Sequence, residues 1–163
     1  FLARADVISG IGRLTRFGLT YDILVFARQL PAALNLTARL PDQRFVLDHL
    51  AKPLIKNGSL EPWATGVRAL ARRPNVCCKI SGLVTEAYWT GWRPAHLRPY
   101  LDVAFEAFGP DRVMFGSDWP VCLLAAPYDC VLGVIEEYAA ALSATERSAL
   151  FGGNAARFYD LQS

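Results

Sequence analysis

Four apolar, β-branched segments recur along this chain, Leu19 to Val25, Arg44 to His49, Asn75 to Ser81 and Arg112 to Asp118, and each closes on polar residues. Their apolar runs are nearly continuous, the pattern of strands buried on both faces, and such strands belong to parallel sheets covered by helices. Strand starts are spaced by 25 to 37 residues, room for one helix in each interval. Parallel neighbours joined that way form right-handed βαβ units, with the loops at the C-terminal strand ends gathered over any site.

Helical patterns fill the intervals at Leu30 to Leu40, Leu60 to Arg73 and Ala95 to Phe108. After the last strand come Tyr128 to Leu142 and a C-terminal helical piece, Ala144 to Tyr159. Turn-forming residues at Gly18, Pro41-Asp42, Asn57-Gly58, Pro74-Asn75 and Gly109-Pro110-Asp111 fall between these elements. An open sheet of four such units leaves two apolar edge strands uncovered, whereas a closed barrel has none. The expected fold is therefore α/β, the C-terminal half (strands five to eight) of a (β/α)₈ TIM barrel, with 1–163 as one partial domain. Ile8, Ile11 and Leu14, apolar near helical spacing, then mark the helix that precedes the fifth strand. The start at Phe1, with no secretory signal, reads as a chain cut from something longer.

Composition removes several classes of function. Seventeen basic against fifteen acidic residues leave a net charge of +2, with no block of either sign, so neither nucleic acid nor a membrane surface is expected as a partner. Apolar runs such as Val121 to Ala126 fall well short of the roughly 20 residues of a spanning helix. The four cysteines, Cys77, Cys78, Cys122 and Cys130, show no CxxC spacing, and strand geometry sends Cys77 and Cys78 to opposite faces. Reduced, buried thiols and a cytoplasmic setting follow as expectations.

Two strand ends carry candidate chemistry. In Phe45-Val46-Leu47-Asp48-His49 an apolar run closes on a carboxylate and an imidazole, where parallel barrels hold catalytic groups. A packing role for His49 and a catalytic one are equally compatible with its position. In Val113-Met114-Phe115-Gly116-Ser117-Asp118 the run closes on Asp118. A carboxylate there requires a partner or a metal and is placed to accept a proton from water, the alternative being a turn cap before Pro120. Gly116 permits close backbone approach beside it.

These segments stand in a distinctive order: Leu19-Thr20-Tyr21-Asp22-Ile23-Leu24-Val25, then Leu47-Asp48-His49-Leu50-Ala51-Lys52-Pro53, Cys78-Lys79-Ile80-Ser81-Gly82, Phe115-Gly116-Ser117-Asp118-Trp119-Pro120 and Gly153-Asn154-Ala155-Ala156-Arg157-Phe158-Tyr159. Across essentially the whole chain the series resembles the amidohydrolase-related barrel hydrolases, in particular the sugar-lactone and muconolactone lactonases. The resemblance implies a hydrolase that opens a lactone or similar cyclic ester, with Asp118 as general base toward water and His49 contacting the substrate carbonyl or a metal. One divalent ion such as zinc, held by His49 and Asp118, is the cofactor implied, although members differ in whether they use one. A His-x-His pair that completes the site in the family does not occur here, and two donors are few for tetrahedral zinc.

Lys79 and Lys52 are the local cations for a developing oxyanion. Tyr21, Asp22, Trp89 and Trp119 complete the substrate-binding candidates, with Tyr88 and Trp92 beside Trp89 in a segment that could cover a ring or pack as core. The substrate is expected to be a small sugar-like or other lactone, and the open strand edges suggest a homo-oligomer. His96 is read as a solvent-facing helix residue. The segment Gly153 to Tyr159 is assigned to stability, with Phe158 buried and Arg157 outward. A metal-dependent decarboxylase of the same superfamily, and a non-catalytic half-barrel that pairs with a partner chain, are the competing readings.

Overall fold

A computed structural model describes residues 1–161. It contains four strands, β1 (Tyr21–Ile23), β2 (Phe45–Leu47), β3 (Val76–Ile80) and β4 (Val113–Phe115), all parallel and hydrogen-bonded in chain order. The helices are α1 (Ala5–Gly12), α2 (Leu30–Arg39), α3 (Trp63–Ala71), α4 (Leu83–Glu86), α5 (Pro94–Phe108), α6 (Tyr128–Ala139), α7 (Ala144–Ser148) and α8 (Asn154–Tyr159). The expected alternation is present, but each strand is shorter than expected: at β2, β3 and β4 the polar end residues leave the ladder for the loops, and β1 also sheds the apolar Leu19, Leu24 and Val25. Helix α3 likewise begins only after Pro62, whose missing N–H and fixed φ suit a helix start. The single C-terminal helix expected over 144–159 is divided by a π turn at Ala149–Gly153 before α8 begins. Ser143 and Glu146 open α7 with a reciprocal capping box.

Alternation along the strands separates two sets of side chains. Ile23, Phe45, Leu47, Val76, Cys78, Ile80 and Val113 pack with the helices into the main core. Val46 and Met114 belong to a second, smaller cluster with Phe158, against which Cys77 and Tyr159 pack. Helix α8 thus lies against the inner face of the sheet. Arg44, at the foot of β2, fixes it there by donating to the Phe158 carbonyl at 3.1 Å and to the Asp160 carboxylate at 2.5 Å.

Cys77 and Cys78 do point to opposite faces, and Cys78 and Cys122 are buried. Cys130 departs from expectation: it is exposed, because it lies on the outward side of α6 while Val131 and Ile135 turn inward. No helix among the described residues is long and apolar enough to cross a membrane.

Candidate active site

Backbone geometry at the two strand ends turns His49 and Asp118 toward each other. After β2 the chain makes a left-handed turn through His49, Leu50, Ala51 and Lys52, with φ of 50°, 53°, 57° and 50°. Four consecutive non-glycine residues in this region cost on the order of 1 kcal/mol each and persist only where the surroundings enforce them. Here Leu50 and Ala51 are fully buried, Trp63 Nε1 donates to the Leu50 carbonyl at 2.6 Å, and Lys52 N donates to the His49 carbonyl at 2.8 Å. Asp118 also takes positive φ, 57°, a conformation aspartate tolerates better than most residues.

His49 Nε2 and Asp118 Oδ1 lie 3.8 Å apart, with their side chains 19% and 15% exposed. That separation is too long for a direct hydrogen bond, so both atoms stay open to a third group, and the partial exposure admits a small molecule. The other ring nitrogen, Nδ1, lies 2.8 Å from Ser81 Oγ at the end of β3. Glycines keep this space clear. A Cβ on Gly82 would lie 3.1 Å from both Asp118 Oδ2 and His49 Nδ1, and one on Gly116 would lie 3.0 Å from Ser81 Cβ. Gly116 therefore makes room for the β3 side chains rather than for Asp118 itself.

Along the inner face a charged network joins Asp22, Asp48, Lys79 and Tyr159. Lys79 Nζ lies 2.9 Å from Asp22 Oδ2 and 2.7 Å from Asp48 Oδ1, and Tyr159 donates its hydroxyl to Asp22 Oδ2 at 2.7 Å. Burial opposes the Lys79 charge, but the bonds to Asp48, Asp22 and Tyr159 outweigh it and hold the ammonium above the usual lysine range. Burial, reinforced by the bond to Asp22, pushes the Tyr159 phenol up to about 12.

The remaining candidates are dispersed. Lys52 pairs with Glu86 at 3.6 Å and sits 5.5 Å from the Phe26 ring centroid. Tyr21 alternates away from Asp22 and meets Phe45 edge-on, with ring centroids 6.2 Å apart, so it is not brought to His49 and Asp118. Trp119, beside Asp118, and Trp89 are both well exposed, and Lys56 lies 5.4 Å from the Trp89 ring. Trp92 is half-buried and donates to the Ala125 carbonyl at 3.1 Å. Exposed His96 accepts from Arg93 N at 3.2 Å and caps α5. It also lines a cavity of about 430 Å³ with Lys56, Tyr88 and Tyr100, to which neither His49 nor Asp118 contributes.

Ser81, Asp48 and Tyr159 were not among the predicted site residues. Ser81 and Asp48 occupy or adjoin the same strand-end positions as His49 and Asp118, which was the available signal. Tyr159 had none, being 137 residues from its partner Asp22.

A catalytic zinc takes three protein ligands and a water. His49 and Asp118 supply two, and no group of three or more His, Cys, Asp or Glu side chains is arranged to hold a metal among the described residues. These residues do not by themselves form a zinc site. Their own chemistry is that of a carboxylate facing an imidazole across an accessible gap.

Parallel βα units with polar groups converging at the C-terminal strand ends define part of a (β/α)-barrel architecture. The chain belongs to the amidohydrolase family, whose model matches residues 3–161. It is 48% identical to the L-fucono-1,5-lactonase of Burkholderia multivorans, over 99% of this chain and 58% of that protein. The L-fucono-1,5-lactonase of Burkholderia ambifaria is 44% identical, over 86% of this chain and 50% of its own length. A crystal structure of a zinc-bound Burkholderia multivorans amidohydrolase superposes with a TM-score of 0.95 at 49% identity, over 99% of this chain and 60% of that one. The chain thus spans between 50% and 60% of the length of these relatives. A 2,6-dihydroxybenzoate decarboxylase from Rhizobium, at 18% identity and a TM-score of 0.52 over 84% of this chain and 41% of that one, shares fold alone.

Proposed function

We propose that this chain carries the water-activating part of an active site that hydrolyses a sugar lactone. The observation that carries the reading is the open 3.8 Å gap between the Asp118 carboxylate, beyond β4, and the His49 imidazole, beyond β2, on either side of the end of β3. Asp118 takes a proton from water as the oxygen attacks the lactone carbonyl carbon. The resulting oxyanion is met by a proton donor on His49, an arrangement typically worth several kcal/mol. Collapse breaks the ring C–O bond, and the proton held by Asp118 passes to the departing ring oxygen, giving the open hydroxy acid.

The lactonase names of relatives at 48% and 44% identity support a small sugar-derived lactone as substrate. A cytoplasmic setting suits the four unpaired thiols. The zinc of the related crystal structure supports a divalent ion near His49 in the whole protein.

The test is acid release by the full-length protein from a panel that includes L-fucono-1,5-lactone, followed by pH-stat. Ring opening that falls by about 10²- to 10⁴-fold in Asp118→Asn supports the reading. Near-normal turnover in that variant removes Asp118 from the mechanism. Metal analysis before and after EDTA dialysis, with turnover followed on both samples, bears on zinc.

A further inference from the structure

We propose that Ser81 is a positioning residue that sets the tautomer of His49, so that the imidazole presents an N–H, not a lone pair, to the gap it shares with Asp118. The Ser81 side chain is buried, at 3% exposure, and a buried hydroxyl is nearly always hydrogen-bonded. Its partner is His49 Nδ1, at 2.8 Å. Two arrangements satisfy that distance. If Nδ1–H donates to Ser81 Oγ, the serine proton has no acceptor among the described hydrogen bonds, and the Nε2 lone pair faces the Asp118 carboxylate 3.8 Å away. If Ser81 donates to Nδ1, its proton is used and Nε2–H faces the carboxylate. Electrostatics and hydrogen-bond accounting both select the second.

Packing supports a fixed arrangement. Cβ atoms on Gly82 and Gly116 would intrude to 3.1 Å of His49 Nδ1 and 3.0 Å of Ser81 Cβ, so both glycines leave the contact undisturbed. An Nε2–H in that place donates to a carbonyl oxygen as negative charge develops on it, while Asp118 holds the water proton. This catalytic consequence rests on the lactonase reading above; the tautomer itself does not.

The decisive readout is ¹⁵N NMR of the full-length protein labelled at histidine, at about pH 8.5, above the ordinary imidazole range. The His49 resonances are assigned by their loss in H49Q. Protonated Nε2 and bare Nδ1 in the wild type, mixed tautomers in S81A and recovery in S81T support the proposal. A protonated Nδ1 in the wild type, or an S81A spectrum unchanged from wild type, overturns it, and the wild-type result requires no variant to fold. In turnover, S81A is expected to lower kcat on the order of 10-fold, with S81T partly restoring it. If no lactone is opened while the tautomer holds, the functional reading fails and the Ser81 assignment survives. If the tautomer fails while Asp118→Asn still abolishes turnover, the reverse is true.

Discussion

On the helix side of the sheet, Ile23, Phe45, Leu47, Val76, Cys78 and Val113 are fully buried and carry no charge. On the other side, within the same short strands, stand Asp22 and Lys79, with Asp48 one residue past the end of β2. Burying an aliphatic or aromatic side chain contributes about 1.5–3 kcal/mol, so the first face accounts for the fold. Burying a charge is unfavourable unless it is paired, so the second face persists through its ion pairs and hydrogen bonds. Period-two alternation lets one strand serve both ends: the residue that anchors the helices and the residue that faces the site are adjacent in sequence and independent in space.

That independence can be broken from either side. The largest expected effect is on turnover: Asp118→Asn keeps shape and tolerance of positive φ but removes the proposed base, so kcat should fall by about 10²- to 10⁴-fold while urea stability moves by less than about 0.5 kcal/mol. A stability loss of several kcal/mol in this variant would show that the strand ends also hold the fold. The mirror experiment is Phe45→Ala, which empties a fully buried position on the helix side. It should cost about 3–5 kcal/mol in urea unfolding, with activity per folded molecule nearly unchanged.

Lys79→Met probes the inner face at a smaller scale. It leaves Asp22 and Asp48, both bonded to the same ammonium, without their cation. Because these groups are only partly buried, the expected loss is about 1–3 kcal/mol, below that of a fully buried pair. Lys79 titrates above its ordinary value when folded, so its stabilisation is complete below about pH 10 and is lost as pH rises through the folded value. The gap between wild type and variant should therefore stay constant through neutral pH and close only under strong alkali. A gap that closes by pH 8 would rule out the ion pairs as its source.

Much of this division was legible in the sequence. The four strands, the order of the helices and the placing of His49 and Asp118 all follow from apolar runs that end in polar residues, a local signal. Period two also separates Tyr21 from Asp22, and applied strictly it would have sent Tyr21 to the helix side with Ile23. What was not legible is non-local. Ser81 closes β3 as His49 follows β2, but a serine carries no mark of function until its imidazole partner, 32 residues earlier, is placed beside it. The left-handed turn at His49 to Lys52 has no glycine to announce it, since tertiary packing of Leu50 and Ala51 enforces it. Lys79 was read as a local cation for an oxyanion; its pairing was not legible because its two carboxylate partners, Asp22 and Asp48, lie far from it in the chain.

The smallest expected effect concerns a contact that carries the C-terminal helix into the charged face. Tyr159→Phe deletes the hydroxyl that bonds Asp22 Oδ2 at 2.7 Å while keeping the ring that packs against Val46, Met114 and Phe158. At neutral pH the loss should be about 1 kcal/mol, the net value of one hydrogen bond. The pH dependence gives the sharper test. The folded phenol titrates at about 12 against an ordinary 10.0, so between those values the folded chain keeps a proton that the unfolded chain has released. Stability then falls as pH rises across that window. Urea unfolding from pH 8 to 12 should show the wild-type advantage over Tyr159→Phe steady up to about pH 10 and shrinking above it. If wild type shows no advantage over Tyr159→Phe even at pH 8, Tyr159 stabilises α8 through its ring alone, and the apolar logic of the helix side extends to this corner of the inner face.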